Sequence, residues 1–332
     1  MTRMRSRKRL LLTTGVAVAA AIAALATPAL ASTSATTSAG YPPPKGMYKH
    51  FTNCPLKNEY MHEAMANGFA ACVWGHAPSG SITIGNITTP VTEPVTVQFG
   101  FNNPPPTGAP FSSFPAYPPL AGFPAITKTK PDLIPESLSA ELGCATATNA
   151  TIVSMCQTIA AKGGVYDQVY ALAQNASQIS DFALFSWTQP MKFKLINPLL
   201  GPNCYIGTDS TPVVLHPQLS IGPGGELFLQ LDPDQTDHPG DGVIGISGAI
   251  ASDTTFSAPG VLGCGPGGQD SAVVDEALDA AAGLPAASGN SLTLNGEFDI
   301  AATGNGFIGV GPTGVDAANE LLGVFQDSTS GE

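Results

Sequence analysis

The stretch LDPDQTDHPGDGVIG places Asp232, Asp234, Asp237 and Asp241 within ten residues. Calcium takes six to eight oxygen ligands, and an aspartate-rich turn is a ready source of them. From Asp237 onward the run follows the helix–loop–helix calcium loop in part, with Asp at the first and fifth positions, Gly at the sixth and Ile at the eighth. Pro239 falls on a ligand position and no Glu closes the loop, so that motif itself is missing. Two readings stand: a solvated acidic loop between strands at 226–231 and 243–249, and a calcium site built by the four aspartates. No other cofactor is expected.

The remaining chemistry is sparse. His50, His62, His76, His216 and His238 are scattered along the chain. Glu59 and His62 have the Glu-x-x-His spacing of di-metal bundles, but such a site needs a second copy and four long helices. No G-x-S-x-G is present, and GISGA at 245–249 misses the spacing. There is no phosphate loop and no dinucleotide fingerprint. The carboxylate pair of a glycoside hydrolase follows no local rule, so a hydrolase with dispersed acids stays open. Two tryptophans in all offer little sugar-stacking surface. The balance is against an enzyme.

The elements that would position any site carry clearer signals. The start, MTRMRSRKRLLLTTGVAVAAAIAALATPALAS, has a basic head, an apolar run and Ala29-Leu30-Ala31 before Ser32. That is the pattern of a secretory signal peptide over 1–31, and no transmembrane segment is expected after its removal. Five of the 13 Lys+Arg lie in it, so the remainder holds 8 bases, all lysine, against 25 acids, a formal −17. A chain so acidic is a poor match for nucleic acid or an anionic membrane surface.

All six cysteines follow: Cys54, Cys72, Cys144, Cys156, Cys204 and Cys264. An even count in an exported chain reads as disulfides. Short loops suggest Cys54–Cys72 and Cys144–Cys156, which leaves Cys204–Cys264. No C-x-x-C and no Cys/His cluster argues for zinc.

Residues 32–50 are Ser/Thr/Pro-rich and read as a flexible leader, and 51–332 as one β-rich domain. Few charges with 37 Gly and 30 Pro fit short strands and ordered loops. Pro55–Gly68 has the spacing of a short helix. Residues 102–130 form a Pro-rich loop that interleaves eight prolines with Phe111, Phe114, Tyr117 and Phe123. Proline removes donors there. Its aromatics either pack back onto the domain or form a surface for a partner or apolar ligand. Residues 131–180 read as a helical insert: PESLSAELG, NATIVSMCQTIAAKGG with an Asn149 cap, and YDQVYALAQNAS continuing helically. From Asp181 the strand pattern returns, interrupted by a helix over 270–283.

IGNITTPV (84–91) and IGTDSTPV (206–213) share I-G-x-x-x-T-P-V. Gly permits a bend, and Thr-Pro forbids helix and sets an extended lead-in. The repeat reads as a corner used twice. In the longer stretch INPLLGPNCYIGTDSTPVVL, Pro198 should end a strand, Leu199 and Leu200 pack inward, and Cys204 anchor the next strand.

LINPLLGPNCYIGTDSTPVVL (195–215), FSAPGVLGCGPGG through LTLNGEF (256–298) and FTNCP (51–55) resemble a group of exported actinobacterial proteins. That group shares N-P-L-L-G-x-x-C-Y-I-G and a later G-C-G segment, and has no assigned activity. The resemblance implies an extracellular or envelope address, brings no catalytic residues, and implies that Cys204 and Cys264 are structural.

The reading is a mainly β, disulfide-stapled domain, a β-sandwich or distorted barrel with a small helical insert. Its expected role is an exported, non-catalytic envelope-associated or extracellular structural or binding protein. Two alternatives remain. One is a carrier of an apolar small molecule with residues 102–180 as a lid; the other is the secreted hydrolase. A large apolar cavity would favour the carrier.

Overall fold

Val, Ile and Thr at alternate positions make the long strands, and Gly and Pro separate them. The computed structural model describes residues 43–58, 61–62, 69–102, 116–117, 125–128, 130–183, 185–269, 271–303 and 316–327. All belong to one compact unit, Thr36–Glu332. Fifteen strands pair, all antiparallel, into one curled sheet. In chain order they are β1 (Ala70–Ile84), β2 (Ile87–Val91), β3 (Val95–Asn102), β4 (Ala116–Tyr117), β5 (Ile126–Lys128), β6 (Asp132–Ser137), β7 (Gln168–Asn175) and β8 (Ser180–Ala183). Then come β9 (Ser186–Ile196), β10 (Tyr205–Ile206), β11 (Val213–Leu215), β12 (Gln218–Leu231), β13 (Gly242–Asp253), β14 (Val261–Leu262) and β15 (Ser291–Ala302). The described helices are α1 (Leu138–Glu141), α2 (Ala150–Lys162), α3 (Ala272–Ala282) and α4 (Ala317–Gln326).

The main path runs β14-β10-β9-β12-β13-β15-β1-β3-β4. β9 also pairs β7, β8 and β11; β6 adds to β7, β2 to β1 and β5 to β3. Pairing slips at one level of the wall: between His76 and Ser79 in β1 against β15, and between Ile246 and Ala249 in β13 against β15. A bulge bends its strand and sharpens the local twist. Two side by side fold the sheet toward itself.

Three clusters fill the molecule. One face of β13-β15-β1-β3 packs Tyr48, Phe51 and Cys72 against Leu321 and Phe325 of α4. The other face packs Phe99, Phe298 and Ile300 against Phe182 and Trp187. The third lies where α1–α3 cover β6, β7 and β9, around Leu138, Ile152, Met155, Phe193, Leu200 and Leu278. The disulfides Cys54–Cys72, Cys144–Cys156 and Cys204–Cys264 are formed, with Cα–Cα separations of 5.7, 5.5 and 4.2 Å. No described helix is long and apolar enough to cross a membrane.

Three expectations need correction. Residues 43–50, read as the end of a flexible leader, belong to the packed domain: Tyr48 is fully buried, its ring 5.4 Å from that of Phe325. Residues 168–175, read as helix, are strand β7, paired along its length with β9. The insert over 131–180 therefore contains two strands, β6 and β7, as well as α1 and α2. α2 starts as expected, with Asn149 Oδ1 accepting from Thr151 N at 2.9 Å and Gly163 ending it at φ +56°. Of the expected helix over 55–68, residues 59–60 and 63–68 lie outside the described residues.

Candidate functional site

Inside the curl lies an apolar space of about 110 Å³. β1, β2, β3 and β5 wall it on one side, and β7, β9, β11, β12, β13 and β15 on the others. Its origin is legible in side-chain size. Gly75 and Ala77 of β1, Gly296 of β15, Ala249 and Ala251 of β13, and Ala171 and Ala173 of β7 all line it. The alanines leave room that a larger side chain would fill, whereas Gly296 and Gly75 are held by close approach, a Cβ meeting the His76 carbonyl oxygen at the first and Val97 Cγ1 at 2.8 Å at the second. Ile82, Val97, Ile126, Met191, Phe193 and Leu294 supply the apolar surface between them. A well-packed core leaves few voids larger than a water molecule. An engineered apolar cavity of about 150 Å³ stays dry and takes up benzene.

The polar groups in this wall are already satisfied. Lys128 Nζ sits 2.9 Å from Asp132 Oδ2, with the two side chains 2% and 9% exposed. Lys128 also donates to the Glu93 carbonyl at 2.8 Å. Asp132 Oδ1 accepts from the Thr92 amide at 3.0 Å and the Thr92 hydroxyl at 3.1 Å. Burying two charges is costly unless they are paired and their remaining bonds filled, and here both conditions hold. Further along the wall, Trp187 Nε1 donates to Gln189 Oε1 at 3.0 Å, and the Gln189 and Asn175 amides meet at 2.8 Å. The lining therefore carries no net charge from this pair.

A second polar group lies on the Trp74 face of the sheet. The register sets Trp74 opposite Asp299 and His76 opposite Glu297. The His50 ring lies 4.0 Å from that of Trp74, and His76 stacks on the other side at 5.6 Å. Gly245 of β13 leaves the niche for Asp299, since a Cβ there would run into the Asp299 carboxylate. Burial, and then the Glu297 charge, push the Asp299 carboxyl up to about 7. Burial first and Lys49 second hold His50 below its ordinary value. His50 Nδ1 is 3.7 Å from Asp299 Oδ2. Each group thus loses its charge on the side of neutrality where the other would gain one. The contact is therefore not a full ion pair, and the site lets a carboxyl keep part of its proton near pH 7.

The aspartates of the acidic loop are used by the loop itself. Asp232 Oδ1 accepts from Asp234 N at 2.8 Å, and Asp234 Oδ1 accepts from Thr236 N and Asp237 N at 3.1 and 3.2 Å. Asp232 and Asp241 are buried, while Asp237 is exposed. His238 lies between Asp241 and Asp327, at 3.8 and 3.6 Å, and so ties the loop to the end of α4. Burial, with the charges of Asp232 and Asp241, raises the Tyr48 phenol far above its ordinary range. Among the described residues no three His, Cys, Asp or Glu side chains converge to hold a metal ion. Around Asp232, Asp234, Asp237 and Asp241 the described residues thus form no calcium ligand set, and Asp234 Oδ1 is already taken by the amides of the turn.

The other expected sites fall as follows. Phe111, Phe114 and Phe123 lie outside the described residues, and Tyr117 is described only in its backbone, paired with Gly100. Glu59 also lies outside them, while His62 Nδ1 meets Asp316 Oδ2 at 2.8 Å, at the cap of α4. INPLLGPNCYIGTDSTPVVL is a corner. Asn197 Nδ2 donates to the Val165, Tyr166 and Gln168 carbonyls, and Asn197 Oδ1 accepts from Leu199 N. Leu200 is fully buried, and Leu199 only partly. Gly207 turns the chain at φ +74°. Sequence reasoning missed the cavity-lining alanines and the Lys128–Asp132 pair. The signal that could have found them is alanine at alternate positions of a strand, as in Ala171 and Ala173.

Compared with protein-family models, curated proteins and solved structures, the chain matches none.

Proposed function

We propose that this chain is an exported protein that holds a small, uncharged apolar molecule within its curled sheet. The observation that carries the reading is the cavity itself: apolar, lined by strands from both sides of the curl, with alanines of β1, β7 and β13 along its wall. The internally neutralised Lys128–Asp132 pair favours a neutral ligand over a fatty-acid anion, because an added carboxylate would compete with Asp132 for a lysine already donating twice. Three disulfides and the resemblance to exported actinobacterial proteins support an extracellular or envelope address.

The test is titration of the purified protein with benzene, a neutral probe of the size such a space takes, read out by NMR line broadening, alongside solvent extraction and mass spectrometry of the protein as secreted. Saturable one-to-one binding is expected, lost in Ala173→Phe, which puts a ring into the space from the half-buried strand β7. No saturable binding, or binding untouched in a folded Ala173→Phe protein, would leave the structural reading in its place.

A further inference from the structure

β12 pairs with β13 along one edge, but among the described residues its other edge meets β9 only at Gln218↔Ser186 and through Leu219 N donating to the Phe185 carbonyl. From Ser220 to Leu231 no described strand pairs with that edge. An exposed, apolar edge strand is a template for another strand, and proteins ordinarily blunt such edges with lysine, proline or a bulge. Here the bulge is at Ile221–Glu226, over Pro223-Gly224-Gly225. It protects only the first half. Beyond it, Glu226–Leu231 runs regularly, with no lysine and no proline. Leu227, Leu229 and Leu231 stand 50%, 48% and 39% exposed. Side chains at alternate positions share one face. Beside this row a shallow apolar groove is formed by Phe185, Leu227, Ile244, Ile246, Phe298 and Ile300.

We propose that β12 pairs antiparallel with β12 of a second copy, about a twofold axis at Leu229. Three arguments select a second copy as the occupant. First, Leu-x-Leu-x-Leu is its own antiparallel complement. With Leu229 opposite Leu229 of the second copy, Leu227 meets Leu231 and every pair on that face is leucine on leucine. Isologous twofold contacts of this kind are the commonest in homo-oligomers.

Second, charge permits it. The chain as exported carries a formal −17, which opposes self-association over most of its surface. The leucine face carries no charge; in the stated register Glu226 of each copy lies opposite Asp232 of the other, a buried side chain held by its own loop, so the two acidic pairs sit only at the ends of the contact.

Third, the area sets the strength. The exposed parts of Leu227, Leu229 and Leu231 amount to roughly 260 Å² per copy, about a third of what each partner gives to a standard interface. With the main-chain ladder added, the contact belongs to the weak, reversible class, a dimer with a dissociation constant in the micromolar range.

Sedimentation equilibrium of the exported chain from about 1 µM to 1 mM tests this, with three variants. The mass should move from one copy to two across the range. Leu229→Lys sets two lysines face to face on the axis and should hold the protein monomeric with an unchanged circular dichroism spectrum. Leu229→Cys brings two Cα atoms to about 4.5–5.5 Å in an antiparallel pair, inside disulfide reach. Oxidised with diamide, it should give a covalent dimer, whereas Leu262→Cys, 52% exposed on β14, should not. A monomer at every concentration, a dimer indifferent to Leu229→Lys, equal cross-linking at both cysteines, or open-ended assembly beyond two copies would each overturn the proposal.

Discussion

Replacing Asp299 by Asn should stabilise this protein by an amount that grows as pH rises from about 4 and is complete above neutrality. Asp299 sits between Trp74 and Gly245 on neighbouring strands, its side chain 13% exposed. Its carboxyl is raised from 3.8 to about 7 by burial and then by Glu297. The sign follows from proton counting. Between about pH 4 and 7 the native state holds a proton on Asp299 that the unfolded chain has released, so stability falls as pH rises through that window. The loss is complete once the native carboxyl has ionised. At about 1.4 kcal/mol per tenfold change, the full displacement corresponds to about 4 kcal/mol. Partial exposure screens the group and brings the effect to about 1–3 kcal/mol. Asparagine fits the same niche and never ionises. Urea denaturation of both proteins with disulfides intact should give equal stabilities near pH 3, below both carboxyl values, and a gain for Asp299→Asn of about 1–3 kcal/mol near pH 8.5, worth about 2–4 °C of Tm per kcal/mol. Taking the difference between the two proteins at each pH removes the contribution of Glu141, also raised to about 7, by burial and Glu136. It removes His50 as well, provided its environment is unchanged. A gain that does not vary with pH, or a loss at pH 8.5, would refute the reasoning. A loss would mean that His50 and Asp299 form a true ion pair.

The remaining predictions concern the wall, the corner and the loop. Lys128→Met should cost about 3–5 kcal/mol by urea denaturation, because it leaves Asp132 buried without its counter-ion. Gly207→Val should lower stability by about 1–3 kcal/mol, since a side chain at φ +74° is strained and its Cβ would press on Val213 N at 3.2 Å. Asp209→Ala, by contrast, removes only an exposed contact with Lys192 and should change stability by less than about 0.5 kcal/mol. A millimolar excess of chelator should leave Tm unchanged, and a drop of several degrees would show that the acidic loop holds an ion.

Elements specified locally were the ones legible in the sequence. The short spacings of Cys54–Cys72 and Cys144–Cys156 gave the pairing, and the Asn149 cap with Gly163 gave α2 its ends. Elements specified by distant partners were not legible. Tyr48 looks like part of a leader until Phe325, near the far end of the chain, is placed beside it. YDQVYALAQ looks helical because alanine favours helix. As β7 it needs small residues for another reason, since Ala171 and Ala173 border open space. The acidic run left two readings open for a local reason: alternating aspartates resemble a ligand set, yet Asx-type caps use the same spacing, and here the loop's own amides take up Asp232 Oδ1 and Asp234 Oδ1.

The two I-G-x-x-x-T-P-V segments show why pattern alone could not locate the site. In the first, Gly85 and Asn86 form a two-residue hairpin turn, and Pro90 sits within β2 opposite Ser81. In the second, Gly207 opens a longer turn in which Thr208 Oγ1 accepts from Thr211 N, and Pro212 precedes β11. Identical letters thus serve two different turns, and both fix where strands begin. The segments that carry the resemblance to exported proteins behave in the same way. Asn197, Leu200, Gly201, Cys204 and Cys264 pin β9 and β10 to the G-C-G segment, and Gly201 has no room for a Cβ against Gly268. What that corner fixes is the position of β9, and β9 contributes Gln189, Met191 and Phe193 to the cavity wall. The distinctive residues hold the frame, while the space inside it is bordered by alanines, which carry no motif. Lengthening those alanines, rather than changing the distinctive segment, is therefore the perturbation that separates binding from folding. Ala171 and Ala173 are the places to make it, because they line the space and on β7 are only partly buried.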